Sequence, residues 1–303
     1  MRVGVLMIVV LASVCGALAQ EPQPRLPEVE SVYAPPEPPR ENEGANEGGV
    51  KLNFNAGLLT DYIFRGIDRS ESGGPEDSPN LQIDSNLSFD LEKYPHPFIG
   101  VFVNIYDSDK FSRFQEIRPY FGFDWNLRPF LFSFGHNSYI YPERDRFNTS
   151  EVFGKVLLDD SYFFRTDKPI FNAYLFGAYD YDKYHGVYVE LGMSHDFVIE
   201  DTPITVTPMG HVAYVNDFDM FRAVTGPTAD PAFDFNPVGP SATGFQHYQV
   251  GVVVTYALNE TFNIPRRYGQ FDLKGYLMYT DGIDHKLRAD TEIWGGVGIA
   301  FSY

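Results

Sequence analysis

Charged and polar side chains recur at every second position in several stretches of this chain. Asp84, Asn86, Ser88 and Asp90 do so, as do Glu116, Arg118, Tyr120 and Asp124, and Tyr188, Glu190, Ser194 and Asp196. A period of two places each set on one face of a β-strand. The combined face is acid-heavy. It holds Asp61, Asp84, Asp90, Glu116, Asp124, Glu190, Asp196 and Asp272, with Glu151, Asp159, Asp180 and Glu292 in weaker segments. Arg65, Arg118, Lys155 and Lys274 are the basic counterweight. Carboxylates converging on a water-filled path favour cations. In a filled interior the same groups would brace the wall through ion pairs, and Asp61 and Arg65, four apart on one face, are a candidate pair.

Nucleophilic chemistry has one foothold. His136 and Ser138 lie two apart, and a serine nucleophile needs such a base within hydrogen-bond reach and a third group to orient it. Asn148 is the candidate for that third member. Metal chemistry has less. Asp107 with Asp109, and Asp180 with Asp182, could contribute to a Ca²⁺ site, but the spacing is not that of an EF-hand loop. The seven histidines show no HExxH pattern. No metal and no cofactor is expected.

The elements that must position these residues are strands. One face of the first carries Leu52, Phe54, Ala56, Leu58, Tyr62 and Phe64; Asn53, Asn55, Gly57, Asp61 and Arg65 take the other. Residues 81–91 alternate almost strictly, a pattern no helix tolerates. Further segments lie at 99–105, 116–127, from 130, 151–164, 170–180, 187–199, 204–216, 246–258, 271–279 and 294–303. That makes twelve, each near the ~9–11 residues of a tilted membrane strand. Of the alternate connectors, those at 92–97, 126–129, 165–169 and 200–203 are tight and carry proline, and that at 259–268 is somewhat longer. Those on the other side include the long 68–80 and the very long 217–243, although 182–186 is short. Short turns at one end and long loops at the other mark an antiparallel up-and-down transmembrane β-barrel. A secreted sandwich has no reason to sort its connectors this way.

The flanks agree. Arg2, an apolar run over 3–14 and Ala17-Leu18-Ala19 read as a signal peptide over residues 1–19. Cleavage near Ala19 would remove Cys15, the only cysteine, and leave no disulfide or thiolate site. Residues 20–49 are rich in proline, glutamate and glycine, a disordered tether that could dock a periplasmic partner. The barrel is expected over 50–303. No later run reaches the ~18 apolar residues of a spanning helix. A formal charge of -18 argues against nucleic acid as a partner. In the last strand, Val297, Ile299, Phe301 and Tyr303 form an apolar face opposite Gly296, Gly298 and Ala300. This strand is expected to close on the first, with its aromatic end facing lipid as the assembly signal read by the barrel-assembly machinery.

Asp61-Tyr62-Ile63-Phe64-Arg65-Gly66-Ile67 resembles the opening motif of the TorF-like porins, the Gcw_chp domain. Tyr179-Asp180-Tyr181-Asp182 followed by Gly186, Tyr188, Glu190, Gly192, Ser194-His195 and Phe197 is similar to that family's central hairpin. The resemblance implies a barrel in the outer membrane of a Gram-negative-type envelope, porin by architecture and without a settled substrate. With the acid-heavy face, the expectation is a small cation-preferring channel for passive diffusion of small solutes or ions, not an enzyme. One alternative is a structural anchor whose tether binds a periplasmic partner. A more remote one is a hydrolase resembling the twelve-stranded outer-membrane phospholipases, whose His-x-Ser faces lipid. Here Ser138 is followed by Tyr139-Ile140 instead of their Asn-Gly.

Overall fold

The computed structural model describes residues 49–70, 79–106, 116–142, 145–218 and 242–303. The signal peptide, the tether, Asp107 with Asp109, and most of the 217–243 loop lie outside the described residues. Fifteen strands follow in chain order among those described: β1 (Val50–Leu59), β2 (Ile63–Phe64), β3 (Ile67–Asp68), β4 (Asn80–Phe89), β5 (His96–Tyr106), β6 (Glu116–Leu127), β7 (Phe130–Tyr139), β8 (Thr149–Leu158), β9 (Tyr174–Asp180), β10 (Val187–Ser194), β11 (Phe197–Val198), β12 (Ile204–Asn216), β13 (Gly244–Ala257), β14 (Gln270–Gly282) and β15 (Glu292–Ser302).

Twelve of these form one closed antiparallel wall. Each pairs with its neighbour in sequence, β10 pairs with β12, and β1 pairs with β15 through Phe54↔Phe301 and Leu58↔Val297. The remaining three are short. β11 lengthens the β10 side against β12, and β2 with β3 makes a separate hairpin. Closure leaves no edge with unpaired backbone groups, the condition for a sheet to sit in lipid.

Alternation sorts the two faces. Leu58, Ile99, Phe121, Phe134, Leu191 and Ile299 point outward, each more than half exposed. The residues one position along from each point into the lumen. Among the connectors, the turn end of the barrel carries residues 90–95, 128–129, 159–173, 195–203 and 258–269. The third of these is longer than expected. Tyr162, Phe163 and Phe164 break the alternation and form a helical turn (Ser161–Phe164). The Asp160 carboxylate then closes the connector by accepting from the Ile170 and Phe171 N–H groups at 2.7 and 2.8 Å.

The first strand is shorter than the alternation predicts. It stops at Leu59, and residues 61–70 are buried without exception. Tyr62 and Phe64, expected to face lipid, are 0% and 2% exposed. The chain turns into the barrel there, because Arg65 and Gly66 both adopt positive φ (52° and 74°) between Phe64 and Ile67. That is the backbone of a two-residue primed hairpin turn. Gly66 is required twice over: a Cβ at this position would also lie 2.5 Å from His247 Cγ.

Candidate functional site

The lumen divides along its length. Toward the turn end the inward side chains Asn53, Asn55, Asp84, Asn86, Asp272 and Lys274 are partly exposed to water. Toward the loop end Asn80, Asn104, Glu116, Tyr188, Thr280 and Trp294 are all at 0%. The hairpin of β2 and β3 fills that outer half as a plug.

The plug is held on one side by charge. Glu116 Oε1 accepts from Arg118 Nη2 at 2.7 Å and from its Nε at 3.0 Å. Its Oε2 accepts from Arg69 Nη1 at 2.7 Å and from the Tyr62 hydroxyl at 2.9 Å. One carboxylate from the wall thus joins two plug residues to a second wall residue. Arg69 also donates to the Tyr141 hydroxyl at 2.6 Å and lies 3.6 Å over the Phe64 ring. Next to it, Arg65 Nη2 meets both Glu151 oxygens at 2.9 Å. Glu151 is further fixed by Asn137 at 2.9 Å and Tyr139 at 2.7 Å. Buried charges persist only when paired and hydrogen-bonded in this manner.

On the other side the plug is held by backbone. Gln246 Nε2 donates to the Arg65 carbonyl at 2.7 Å and the Arg288 carbonyl at 2.9 Å. Asp290 N–H donates to the Gly66 carbonyl, and its carboxylate accepts from Asp68 N–H, both at 2.7 Å.

The residues expected to line the lumen fall into three places. Asp61, Arg65, Glu116, Arg118, Glu151, Lys155, Asp180 and Glu190 are buried in the plugged half or at its lower boundary. Asp84, Asp124, Asp272 and Lys274 face the water-accessible half. Asp90, paired with Lys51 at 3.7 Å, and Asp196, accepting from Thr207 at 2.6 Å, sit at the turn-end rim. Arg65 finds Glu151, 86 positions away, where the spacing proposed Asp61. Arg69, Tyr62, Tyr141 and Gln246 escaped the sequence reading. The Arg65-Gly66 pair, a turn signal inside an alternating run, is the cue that could have exposed the plug.

The hydrolase constellation is not assembled. His136 Nε2 lies 2.7 Å from the Tyr181 hydroxyl, its ring stacks on Phe121, and Asn148 Oδ1 accepts from the Tyr141 N–H at 2.7 Å. Asp180 accepts from Thr149 at 2.6 Å and from the Lys183 and Tyr184 N–H groups at 3.0 and 2.9 Å, bracing its own loop. Among the described residues no group of three or more His, Cys, Asp or Glu is placed to hold a metal ion.

A family model described as "Bacterial protein of unknown function (Gcw_chp)" matches residues 43–224, more than half of the chain. The chain belongs to the Gcw_chp family. Within that match lie the motif at 61–67, expected in the first wall strand but forming the plug, and the β9–β10 hairpin. No curated protein matches the sequence. This Gcw_chp chain is also similar to the crystal structure of the COG4313 outer membrane channel from Pseudomonas putida F1. Identity is 7%, the TM-score is 0.46, and the match covers 88% of this chain and 98% of that one.

Proposed function

We propose that this protein is an outer-membrane channel with its turn end in the periplasm, a water-filled inner half, and an outer half closed by its own first loop. The observation that carries the reading is the split of the inward face: partly exposed polar side chains below, fully buried ones above, inside a wall whose outer face is apolar. A barrel built only as an anchor has no need of a wet lower lumen. Asp84, Asp124 and Asp272 outnumber Lys274 there, so the solutes are small and the preference is for cations. In the outer half Glu116 and Glu151 are neutralised by arginines and contribute little to selectivity.

Planar-bilayer recording of refolded protein tests this. Rare stepwise openings with a cation-selective reversal potential are expected, and a protein that never conducts defeats the channel reading. Removing residues 21–49 separates channel from anchor: a channel keeps its conductance, whereas an anchor loses its periplasmic partner. Val297, Ile299, Phe301 and Tyr303 are the proposed assembly signal, and a chain lacking 301–303 should fail to reach the membrane folded.

A further inference from the structure

Carboxamide side chains gather on three neighbouring strands of the wall. Asn53 and Asn55 of β1, Asn80, Gln82 and Asn86 of β4, and Asn104 of β5 lie on the inward face. The register sets Asn53 directly opposite Asn86, and Gln82 directly opposite Asn104. These amides form a stripe that runs from the water-accessible half up to the plug. Asn53, Asn55 and Asn86 are partly exposed, Gln82 is 8% exposed, and Asn80 and Asn104 are at 0%.

The upper end of the stripe is incomplete. Asn104 Nδ2 donates to Asn80 Oδ1 at 3.2 Å. Among the described residues, however, Asn104 Oδ1 and Gln82 Nε2 meet no hydrogen-bond partner. Burying an amide group without its partner is costly. The two atoms are complementary, since one accepts and the other donates, and residues directly opposite in an antiparallel pair hold their Cβ atoms only about 4.5–5.5 Å apart. A hydroxyl accepts and donates through one oxygen, so a single hydroxyl satisfies both. A carboxylate only accepts and an ammonium only donates, so neither completes the pair.

Aromatic rings lie beside the lower end. Gly100 of β5 sits opposite both Asn86 and Tyr120, and its missing side chain leaves room for the tip of the Tyr120 ring. The Tyr120 hydroxyl donates to Asp84 at 2.8 Å, and the centre of the Phe98 ring is 6.2 Å from that of Tyr120. Both rings are partly exposed. Aromatic surface next to groups that donate and accept matches a molecule with hydroxyls on one side and C–H groups on another.

We propose that this stripe is a binding track for small neutral polyhydroxylated solutes, sugars or polyols, with Gln82 and Asn104 taking the leading hydroxyl beneath the plug. The track names a solute class for the channel reading, and rests on that reading for passage but not for binding. The preference for cations among ions is left in place. Calorimetric titration of glucose into protein refolded in a detergent without a sugar headgroup measures binding without requiring conduction. Weak, saturable binding is expected in the wild type. Gln82→Met keeps the length of the side chain but loses its amide, and should bind glucose about tenfold more weakly. Asn86→Ala, at a partly exposed position that is safer to fold, should bind about threefold more weakly. Thr255→Val, on β13 and away from the stripe, should bind as the wild type does. No saturable glucose binding in the wild type, as when a bridging water alone completes the pair, overturns the track. Equal binding in the wild type and both stripe variants does so too. Stripe-dependent binding without any conductance leaves the track standing and defeats the channel reading. Conductance without glucose binding does the reverse.

Discussion

The two halves of the lumen solve opposite problems with the same wall. In the outer half, large and charged side chains meet across the barrel axis through the plug: Tyr62, Arg65 and Arg69 from the loop, Glu116, Arg118 and Glu151 from the wall. In the inner half, large side chains lie down along the wall. Tyr120 covers Gly100, Phe98 covers Gly122 and Tyr174 covers Gly192, so closely that a Cβ on any of these glycines would meet the ring within 2.6 Å. Rings laid flat over glycines keep their bulk out of the axis. Plugged and open regions thus differ less in residue type than in whether a neighbouring strand leaves a hollow for each side chain.

The difference can be broken most strongly at Glu116. Glu116→Gln removes the carboxylate that accepts from both Arg69 and Arg118, and breaking a buried ion pair by removing one partner costs about 3–5 kcal/mol. The plug should detach and channel openings should become frequent, read in bilayers beside urea unfolding of the refolded barrel. A closed channel with unchanged stability would contradict the charge-held plug.

The inner half is more sensitive to volume. In Gly122→Ala the new Cβ would sit 2.2 Å from the Phe134 carbonyl oxygen and 2.8 Å from Gly135 Cα, backbone atoms that cannot turn aside. Overpacking of this kind costs about 1–3 kcal/mol, visible as a lower urea midpoint. Gly177→Ala is the control, because its nearest neighbour is an oxygen 4.0 Å away, and it should change stability by less than about 0.5 kcal/mol.

A smaller effect is expected at the backbone-held side of the plug. Burial raises the Asp290 carboxyl above its ordinary value, and the hydrogen bond from Asp68 N–H counters only part of this. A raised folded-state value means that the stabilising contribution is complete below the ordinary carboxylate range and is lost as pH rises through the folded value. Asp290→Asn should remove that acid-side gain and shift stability by under about 1 kcal/mol, measured as the pH dependence of hydrogen exchange in the plug. Least disruptive is Asp84→Asn, which keeps an acceptor for the Tyr120 hydroxyl at 2.8 Å. Stability should not change, while the reversal potential moves toward weaker cation preference.

The wall was readable in the chain because alternation is a local property. Leu81 to Phe89, Ile117 to Leu127 and Val297 to Tyr303 each declare a strand and which face is apolar, and the pairing of β1 with β15 follows from closing the barrel. Local alternation could not say where the wall ends. Tyr62, Phe64 and Arg65 continue the rhythm of β1, and an aromatic residue buried under a plug has the same place in the pattern as one facing hydrocarbon. Only the three-dimensional path, turned inward at Arg65 and Gly66, distinguishes them.

Charge shows the same division. Composition and spacing determined that the inward face would be rich in carboxylates, since apolar residues had claimed the other face. Which carboxylates are buried in ion pairs was decided by tertiary structure alone. Arg65 reaches Glu151 and Arg69 reaches Glu116 across 86 and 47 positions, distances over which sequence carries no pairing signal. Asp84 stays partly exposed and accepts from the Tyr120 hydroxyl at 2.8 Å. A pattern with period two fixes direction, and only a closed barrel fixes company.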